Sequence, residues 1–401
     1  MKILDIKVTG YKMLQDNFEL NLLPKTKVSI MDLETEIADV VTNLHTFSTI
    51  SFVGSNSSGK TTVLTLIDKV EKLIGDGQLV YKANDFNNNK ITLEVIFYYG
   101  LTIYKYHCDL LKPLVTGTLM RSHSLCLIAN EKLSTKHYNK YEPKKNLLYN
   151  FDNGIKSDRA FSRNYESDLL LSINPSNRFS VRSLYFAADF SNLDILNKFL
   201  DYKGVLSAKL LMNFINILDD SIEVIDSIGF SEKTHSESDM FRFKRKNGKE
   251  QIVTSRELVS FLSSGTIKGL LLYTYVYISL TLGITLIVDE IENSFHKDLV
   301  ENIILLYNDS EVNVKKSTLI FSTHYLEIID TINRRDSIYV MHKKNGVITA
   351  DSMYEKYHLR NELSKSNQYN NNAFDTLLNY ELLMKIKKEM MKHIIHGQLR
   401  N

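Results

Sequence analysis

The amino-acid sequence predicts an α/β fold, and three observations support this class. Residues 47–53 are mostly apolar or β-branched, as in a buried strand. They lead into a glycine-containing turn at 54–61, and residues 62–70 then carry apolar side chains at helical spacing. A second helical pattern at 267–280 precedes another apolar strand, Thr285–Val288, which ends on two carboxylates. Strands alternating with helices are typical of a parallel sheet covered by helices.

The turn reads Gly-Ser-Asn-Ser-Ser-Gly-Lys-Thr and fits the phosphate-binding pattern G-x-x-x-x-G-K-[ST]. Its glycines let backbone N–H groups approach phosphates, and the following helix adds the positive end of its dipole. We expect Lys60 to reach the β- and γ-phosphates of ATP and the Thr61 hydroxyl to bind Mg²⁺. The alternative, a chance match, is disfavoured by the correct strand and helix on either side. The predicted nucleotide-binding residues here are Gly54, Ser55, Asn56, Ser57, Ser58, Gly59, Lys60, Thr61 and Thr62.

Composition narrows the class of protein. The chain has 401 residues, 43% of them hydrophobic and 24% charged, which is typical of a globular protein large enough for two structural parts. The net charge of +2 neither requires nor excludes nucleic acid. Cys108 and Cys126 fit no metal or redox spacing, so we expect buried thiols in a reducing compartment, the cytoplasm. The first residues lack the long apolar core of a signal peptide.

The uncharged run at 269–288 is long enough to span a bilayer. We reject that interpretation because Gly283 divides the run into a helical half and a strand half, and because several Tyr, Ser and Thr residues make it polar. A buried helix followed by a buried parallel strand explains the same run, so no membrane association is expected.

The remaining chain shows weaker patterns. Apolar residues of the opening segment and of 18–22 alternate as in two paired strands, and residues 91–99 and 101–106 read as a hairpin around Gly100. Residues 110–190 are the least legible and predict an insertion of short strands and helices. Helical spacing returns within 192–218, and 222–225 resembles a strand.

A second hairpin is predicted at 241–248, where Asn-Gly is a strong turn signal. Its strand carries four basic residues, which suit either a nucleic-acid or phosphate contact or a solvated hairpin face; charge runs favour the latter. These residues are Arg242, Lys244, Arg245 and Lys246.

Polar residues follow the later strands at the edge where ligands bind in α/β sheets. We expect Asp289 to hold Mg²⁺, Glu290 to polarise the attacking water, and His324, after the apolar strand 317–323, to contact the γ-phosphate. Upstream, Ser263, Ser264 and Gly265 open a helix and form either a second anion-binding N-terminus or a simple N-cap.

The order of these motifs resembles the ABC-type ATPase heads of SMC, RecF and OLD-family proteins. The stretches are G-S-N-S-S-G-K-T, L-S-S-G-T, L-I-V-D-E-I-E-N-S-F-H and I-F-S-T-H. The resemblance implies Walker A, signature, Walker B, D-loop and switch-histidine roles for them. The D-E-I-E-N-S-F-H form, the opening strand and the stretch L-R-N-E-L-S-K-S-N-Q-Y look most like stand-alone OLD-like AAA ATPases of bacterial anti-phage and abortive-infection systems. Two departures are Ser264 in place of Gly and Thr266 in place of Gln; the Q-loop glutamine is not placed.

The resemblance implies a P-loop NTPase fold with an ABC-type ATPase head, an antiparallel β-subdomain and an inserted α+β subdomain. We expect the head in residues 1–109 and 221–350, the insertion in 110–220 and a helical tail in 351–401. The tail carries an amphipathic pattern from Phe374 to Met390, which fits either its own core or a partner surface.

The resemblance also implies hydrolysis of ATP with Mg²⁺ between two copies, the signature of one facing the P-loop of the other. No paired-acid nuclease pattern follows His324, so we expect an ATP-dependent sensor or regulator of anti-phage defence that controls a separate nuclease or toxin. A RecF-like DNA-repair ATPase is the alternative, and an SMC-type structural protein is disfavoured because no heptad repeat appears. Weak DNA binding is expected at most.

Overall fold

The fold is taken from a computed structural model of the chain. It describes residues 1–391 apart from residues 78, 113–125, 144–145, 152–154, 157–166, 168, 171–182, 188–190, 203–204, 231–238, 294, 358–363 and 371–383.

The strands, in chain order, are β1 (Lys2–Thr9), β2 (Phe18–Asn21), β3 (Ile37–Val41), β4 (Leu44–Phe47), β5 (Thr49–Val53), β6 (Lys90–Tyr99), β7 (Thr102–Leu111), β8 (Leu127–His137), β9 (Ile155–Lys156), β10 (Ser183–Phe186), β11 (Ile222–Phe230), β12 (Asp239–Arg245), β13 (Gln251–Thr254), β14 (Thr285–Val288), β15 (Thr318–Thr323), β16 (Ile338–Lys344) and β17 (Val347–Ser352). The helices are α1 (Ile30–Glu34), α2 (Lys60–Asp76), α3 (Asn192–Asp201), α4 (Ala208–Leu218), α5 (Ser255–Phe261), α6 (Ser264–Leu282), α7 (Lys297–Asn308), α8 (Leu326–Asp330), α9 (Met353–Lys356) and α10 (Lys365–Asn370).

The central sheet has the strand order β10-β14-β15-β5-β16-β17, with all neighbours parallel except the β16–β17 hairpin. Its middle strands are buried on both faces. In β14, Leu286 and Val288 enter one core cluster while Ile287 enters another. Helix α6 lies in the first cluster and α2 in the second, so the sheet is sandwiched between helices, as parallel sheets require.

The second sheet is antiparallel, with the order β2-β1-β6-β7-β8-β9. Its β6–β7 turn holds Gly100 and Leu101, both with positive φ (56° and 61°), which matches the twist of a tight hairpin. The apolar inner faces of β1 and β6 share a core cluster with α2 and the central sheet. The predicted α/β class, with the strand before the P-loop in a parallel sheet bordered by antiparallel strands, is confirmed.

The uncharged run at 269–288 forms the larger part of α6, which is mostly buried up to Ser279, and the buried strand β14, as expected. Gly283 ends the helix with φ 75°, and its N–H donates to the carbonyl of Ser279. No helix in the described part of the chain is both long and apolar enough to span a bilayer.

The segment 110–220, expected to be an inserted subdomain of short strands and helices, contributes strands to both main sheets. Its 11-residue strand β8 pairs with β7 in the antiparallel sheet, and β10 pairs with β14 in the central sheet. Described parts of this segment therefore complete both sheets of the head. Local sequence could not show this, because the partners of these strands lie elsewhere in the chain. The exact domain boundaries stay a prediction.

The basic strand β12 lies in the three-stranded sheet β11-β12-β13. Arg242 pairs with Asp226 at 2.8 Å, Lys244 with Glu223 at 2.8 Å and Arg245 with Asp219 at 3.5 Å. Two acids of the neighbouring strand β11 and Asp219, at the end of α4, thus offset three of the four charges, which favours the solvated-face interpretation. Lys246, the fourth, is also exposed.

The predicted amphipathic tail falls largely outside the described residues. Residues 384–391 are helical, and within them Ile386 and Met390 are exposed. These two side chains do not pack on the core of their own chain. The partner-surface alternative for the tail stays a hypothesis.

Candidate functional site

Three parallel strands bring the predicted site residues to one edge of the central sheet. In register, Val53 at the end of β5 lies opposite Thr323 of β15, and Val288 at the end of β14 lies opposite Phe321 of β15. The P-loop follows β5, the two acids follow β14 and His324 follows β15. Residues more than 200 positions apart in sequence therefore meet at the carboxyl edge, where α/β sheets bind ligands.

The glycines of the P-loop pack tightly against the last hairpin of the central sheet. A Cβ built on Gly54 would lie 2.7 Å from the carbonyl oxygen of Met341, and one built on Gly59 would lie 2.6 Å from the side chain of Ile348. Gly59 also has φ 101° and precedes the first residue of α2, a 17-residue helix. Glycine at these positions lets the loop pack against the last hairpin, and the loop then leads into the N-terminus of α2, whose positive dipole end favours an anion.

The Lys60 ammonium is held inside the loop. Its Nζ donates to the carbonyl oxygens of Gly54 and Ser55, each at 3.0 Å, and lies 3.3 Å from Nδ1 of His324. Burial lowers the pKa of Lys60 to about 8, while the charges of Asp289, Glu290 and Glu292 act in the opposite direction. The cation is therefore placed where the charge of a nucleotide phosphate would stabilise it further.

His324 connects Lys60 to Glu290. Nδ1 of His324 faces the Lys60 ammonium, which can only donate, so this contact is a hydrogen bond in the tautomer that carries its proton on Nε2. Nε2 lies 3.5 Å from Oε1 of Glu290. The predicted trio of Lys60, Glu290 and His324 thus forms a contiguous chain of contacts.

Asp289 and Thr61 provide oxygen ligands suited to Mg²⁺. The Thr61 hydroxyl donates to Oδ2 of Asp289 at 2.7 Å, and the Asp289 residue is only 5% exposed. A carboxylate and a hydroxyl are the hard donors that this ion prefers. Together with the glycine cradle, these residues fit a nucleotide bound with Mg²⁺.

Sequence reasoning missed two further residues of the site, Ser322 and Glu292. The Ser322 hydroxyl donates to Oδ1 of Asp289 at 2.6 Å and accepts from the backbone N–H of Glu290 at 2.7 Å. Glu292 accepts the backbone N–H of His324 at 2.6 Å. Both stand inside the quoted motifs D-E-I-E-N and I-F-S-T-H, but nothing in a local pattern indicates which side chain will cross to the neighbouring strand.

The backbone at Glu290 is unusual. Its φ is 49°, a left-handed value that non-glycine residues seldom adopt. The N–H of the next residue, Ile291, donates to the carbonyl oxygen of Ser322 at 3.0 Å, which fixes the turn against β15. The Glu290 side chain is 40% exposed, so it is open to solvent at the ligand edge. Such strained turns are common at functional sites.

The predicted signature residues lie apart from this cluster. Ser263 is the N-cap of α6 and accepts from the N–H of Thr266 at 3.0 Å, and Ser264 donates to the side chain of Asn192 at 3.0 Å. Among the described residues, no hydrogen bond or ion pair joins 263–265 to the P-loop. Both serines are exposed at the start of a 19-residue helix. The N-cap alternative is thus realised, and the anion-binding role stays a prediction.

Residues 50–330 match the family described as "AAA domain, putative AbiEii toxin, Type IV TA system". No curated protein matches the sequence. Among solved structures, the SMC head domain from Thermotoga maritima is 14% identical, with a TM-score of 0.41. The match covers 88% of the present chain and 99% of the SMC head chain. An SMC head bound to the C-winged helix domain of ScpA is 10% identical, with a TM-score of 0.44, and the match covers 87% of the present chain and 97% of that chain. An ATP-binding subunit of an ABC transporter is 12% identical, with a TM-score of 0.29, and the match covers 86% of the present chain and 87% of that chain.

The family match spans well over half of the chain and includes the P-loop, the turn at 263–265, the two acids and His324. This match confirms the resemblance to an AAA family ATPase that the motifs predicted. The chain belongs to this AAA domain family.

Proposed function

We propose that the protein hydrolyses ATP to ADP and phosphate. The observation that carries the proposal is the convergence of Lys60, Thr61, Asp289, Glu290 and His324 at one edge of the sheet. P-loop ATPases place the same chemical groups around the phosphates.

In this proposal each group has one task. Asp289 and Thr61 hold Mg²⁺, which when bound offsets charge on the phosphates. Lys60 exchanges its carbonyl and imidazole contacts for phosphate oxygens. Glu290 orients and polarises the attacking water, and His324 contacts the γ-phosphate from the neighbouring strand end.

We further propose that the complete site forms between two copies of the chain. Within the described residues, the exposed serines at the start of α6 bond to Thr266 and Asn192 and not to the P-loop of their own chain, so this helix terminus can face the P-loop of another copy. The backbone N–H groups of that helix terminus would then cap the γ-phosphate. ATP would draw two heads together, and hydrolysis would release them.

The biological role proposed is that of an ATP-dependent regulator in anti-phage defence, acting in the cytoplasm on a separate nuclease or toxin. The family description, which refers to a toxin of a type IV toxin–antitoxin system, supports a place in such two-part systems. A nuclease or toxin encoded in the neighbouring reading frame would support this role. Metal-dependent DNA or RNA cleavage by the pure chain, surviving the loss of Lys60, would contradict it.

A RecF-like DNA-repair ATPase is the alternative. It would require a strong DNA-binding surface, and the basic strand β12 is the candidate. Its pairing with acids argues for weak, salt-sensitive binding only. Tight binding at physiological salt that is lost on charge reversal would favour the alternative; the residues to reverse are Arg242, Lys244, Arg245 and Lys246.

The substitution Glu290→Gln tests hydrolysis. It retains size and hydrogen bonding but removes the charge that polarises water, so ATP binding should persist while phosphate release slows on the order of 100-fold or more. Glu327→Gln is the matched control, because Glu327 is an exposed acid three residues beyond His324. Hydrolysis by Glu290→Gln at the native rate would refute the assigned role.

A further inference from the structure

Ser322 occupies a central position between the two acids of the site. It lies in β15, is fully buried and has a hydroxyl that serves two partners at once. The oxygen accepts the N–H of Glu290 at 2.7 Å, and the proton goes to Oδ1 of Asp289 at 2.6 Å. We propose that Ser322 is a positioning residue that orients Asp289 toward Mg²⁺ and holds the Glu290 turn. The proposal rests on the proposed function of the site.

The two oxygens of Asp289 have separate partners. Oδ2 accepts from the hydroxyl of Thr61, and Oδ1 accepts from Ser322. Thr61 is itself expected to turn toward the metal when nucleotide binds. Ser322 would then be the fixed contact that keeps the carboxylate from rotating. Outer contacts of this kind orient metal ligands in proteins.

The contact with the backbone of Glu290 has a separate consequence. With φ at 49°, this residue needs support from its surroundings to stay in a left-handed conformation. The Ser322 hydroxyl supplies one hydrogen bond, and the Ser322 carbonyl supplies a second through the N–H of Ile291. Substitution of the side chain would remove the first bond and leave the second.

A neighbouring buried serine offers a matched comparison. Ser51 lies on β5, opposite Phe321 of β15, and is also fully buried. Its hydroxyl has no hydrogen-bond partner in the described part of the chain. Both serines lie in the central sheet and are fully buried. They differ in that only Ser322 bonds to Asp289 and to the backbone of Glu290. Ser51→Ala is therefore the matched control for Ser322→Ala.

The experiment measures equilibrium binding of ATP, first in EDTA and then at increasing Mg²⁺. Ser322→Ala should bind ATP in EDTA like the native protein, but it should require about 10- to 100-fold more Mg²⁺ for half of the metal-dependent gain in affinity. Ser51→Ala should need no more Mg²⁺ than the native protein does. A native-like Mg²⁺ requirement in Ser322→Ala would overturn the proposal. Absence of any Mg²⁺ effect in the native protein would instead contradict the proposed function.

A second pair of variants separates the hydroxyl from the volume of the side chain and covers the case in which the alanine variant does not fold. Ser322→Thr and Ser322→Val have nearly the same shape, but only threonine retains a hydroxyl. The threonine variant should keep a lower Mg²⁺ requirement than the valine variant and should hydrolyse ATP faster. Equal Mg²⁺ requirements in the two would show that shape, not the hydroxyl, matters, and would also overturn the proposal.

Discussion

Asp5 is a buried acid whose carboxylate has no hydrogen-bond partner in the described part of the chain, and it makes the stability of the protein depend on pH. It lies in β1 beside an irregularity in the pairing with β6, is fully buried, and neither carboxylate oxygen has a hydrogen-bond partner among the described residues. Burial, followed by the negative charge of Glu19, raises the pKa of Asp5 from 3.8 to about 7. We predict that Asp5→Asn, compared with the native protein at the same pH, is more stabilising at pH 8 than at pH 5.

The raised pKa of Asp5 determines both the direction and the size of the change in the free energy of unfolding with pH. Below pH 4 the carboxyl is protonated in both the folded and the unfolded chain, so it contributes no pH dependence. Between pH 4 and 7 only the unfolded chain is ionised, and the free energy of unfolding falls as pH rises. At about 1.4 kcal/mol per unit, the full penalty above pH 7 is on the order of 4 kcal/mol. The part that develops between pH 5 and 8 is about 3 kcal/mol.

The assay is urea unfolding of native protein and Asp5→Asn at pH 5 and pH 8. The buried amide of asparagine also lacks partners, but that cost does not change with pH. The diagnostic quantity is thus the increase, from pH 5 to pH 8, in the stability difference between the two proteins. Asp16→Asn, an exposed site in the loop after β1, is the control and should show no such increase. An equal difference at both pH values would refute the reasoning.

Three further predictions concern the nucleotide site. Lys60→Ala should abolish ATP binding, measured at equilibrium, because phosphate charge would be left uncompensated; unchanged binding would remove the P-loop assignment. Gly59→Ala should weaken ATP binding far more than Gly346→Ala, since both have positive φ but only the first places a Cβ within 2.6 Å of Ile348; equal effects would contradict the packing argument. Gly265→Asp should still bind ATP but form no ATP-dependent dimer in light scattering, because a carboxylate would face phosphate; normal closure would refute the two-copy site.

Local sequence determined much of this protein. The P-loop pattern with its flanking strand and helix fixed the start of α2, and the apolar run of β14 followed by Asp289 and Glu290 fixed the second strand of the site. These features are encoded by residues adjacent in the chain: backbone propensity, apolar periodicity and a glycine pattern act over a few positions. The fold class and the family resemblance could be predicted for the same reason.

The tertiary structure alone decided which distant residues support the site. Ser322 and Glu292 reach across from one strand end to another, and Met341 and Ile348 of the last hairpin close over the glycines of the P-loop. The segment 110–220 likewise adds strands to both sheets through partners elsewhere in the chain. Pairing between strands far apart depends on their register and on the packing of the whole core, and a short window of sequence specifies neither.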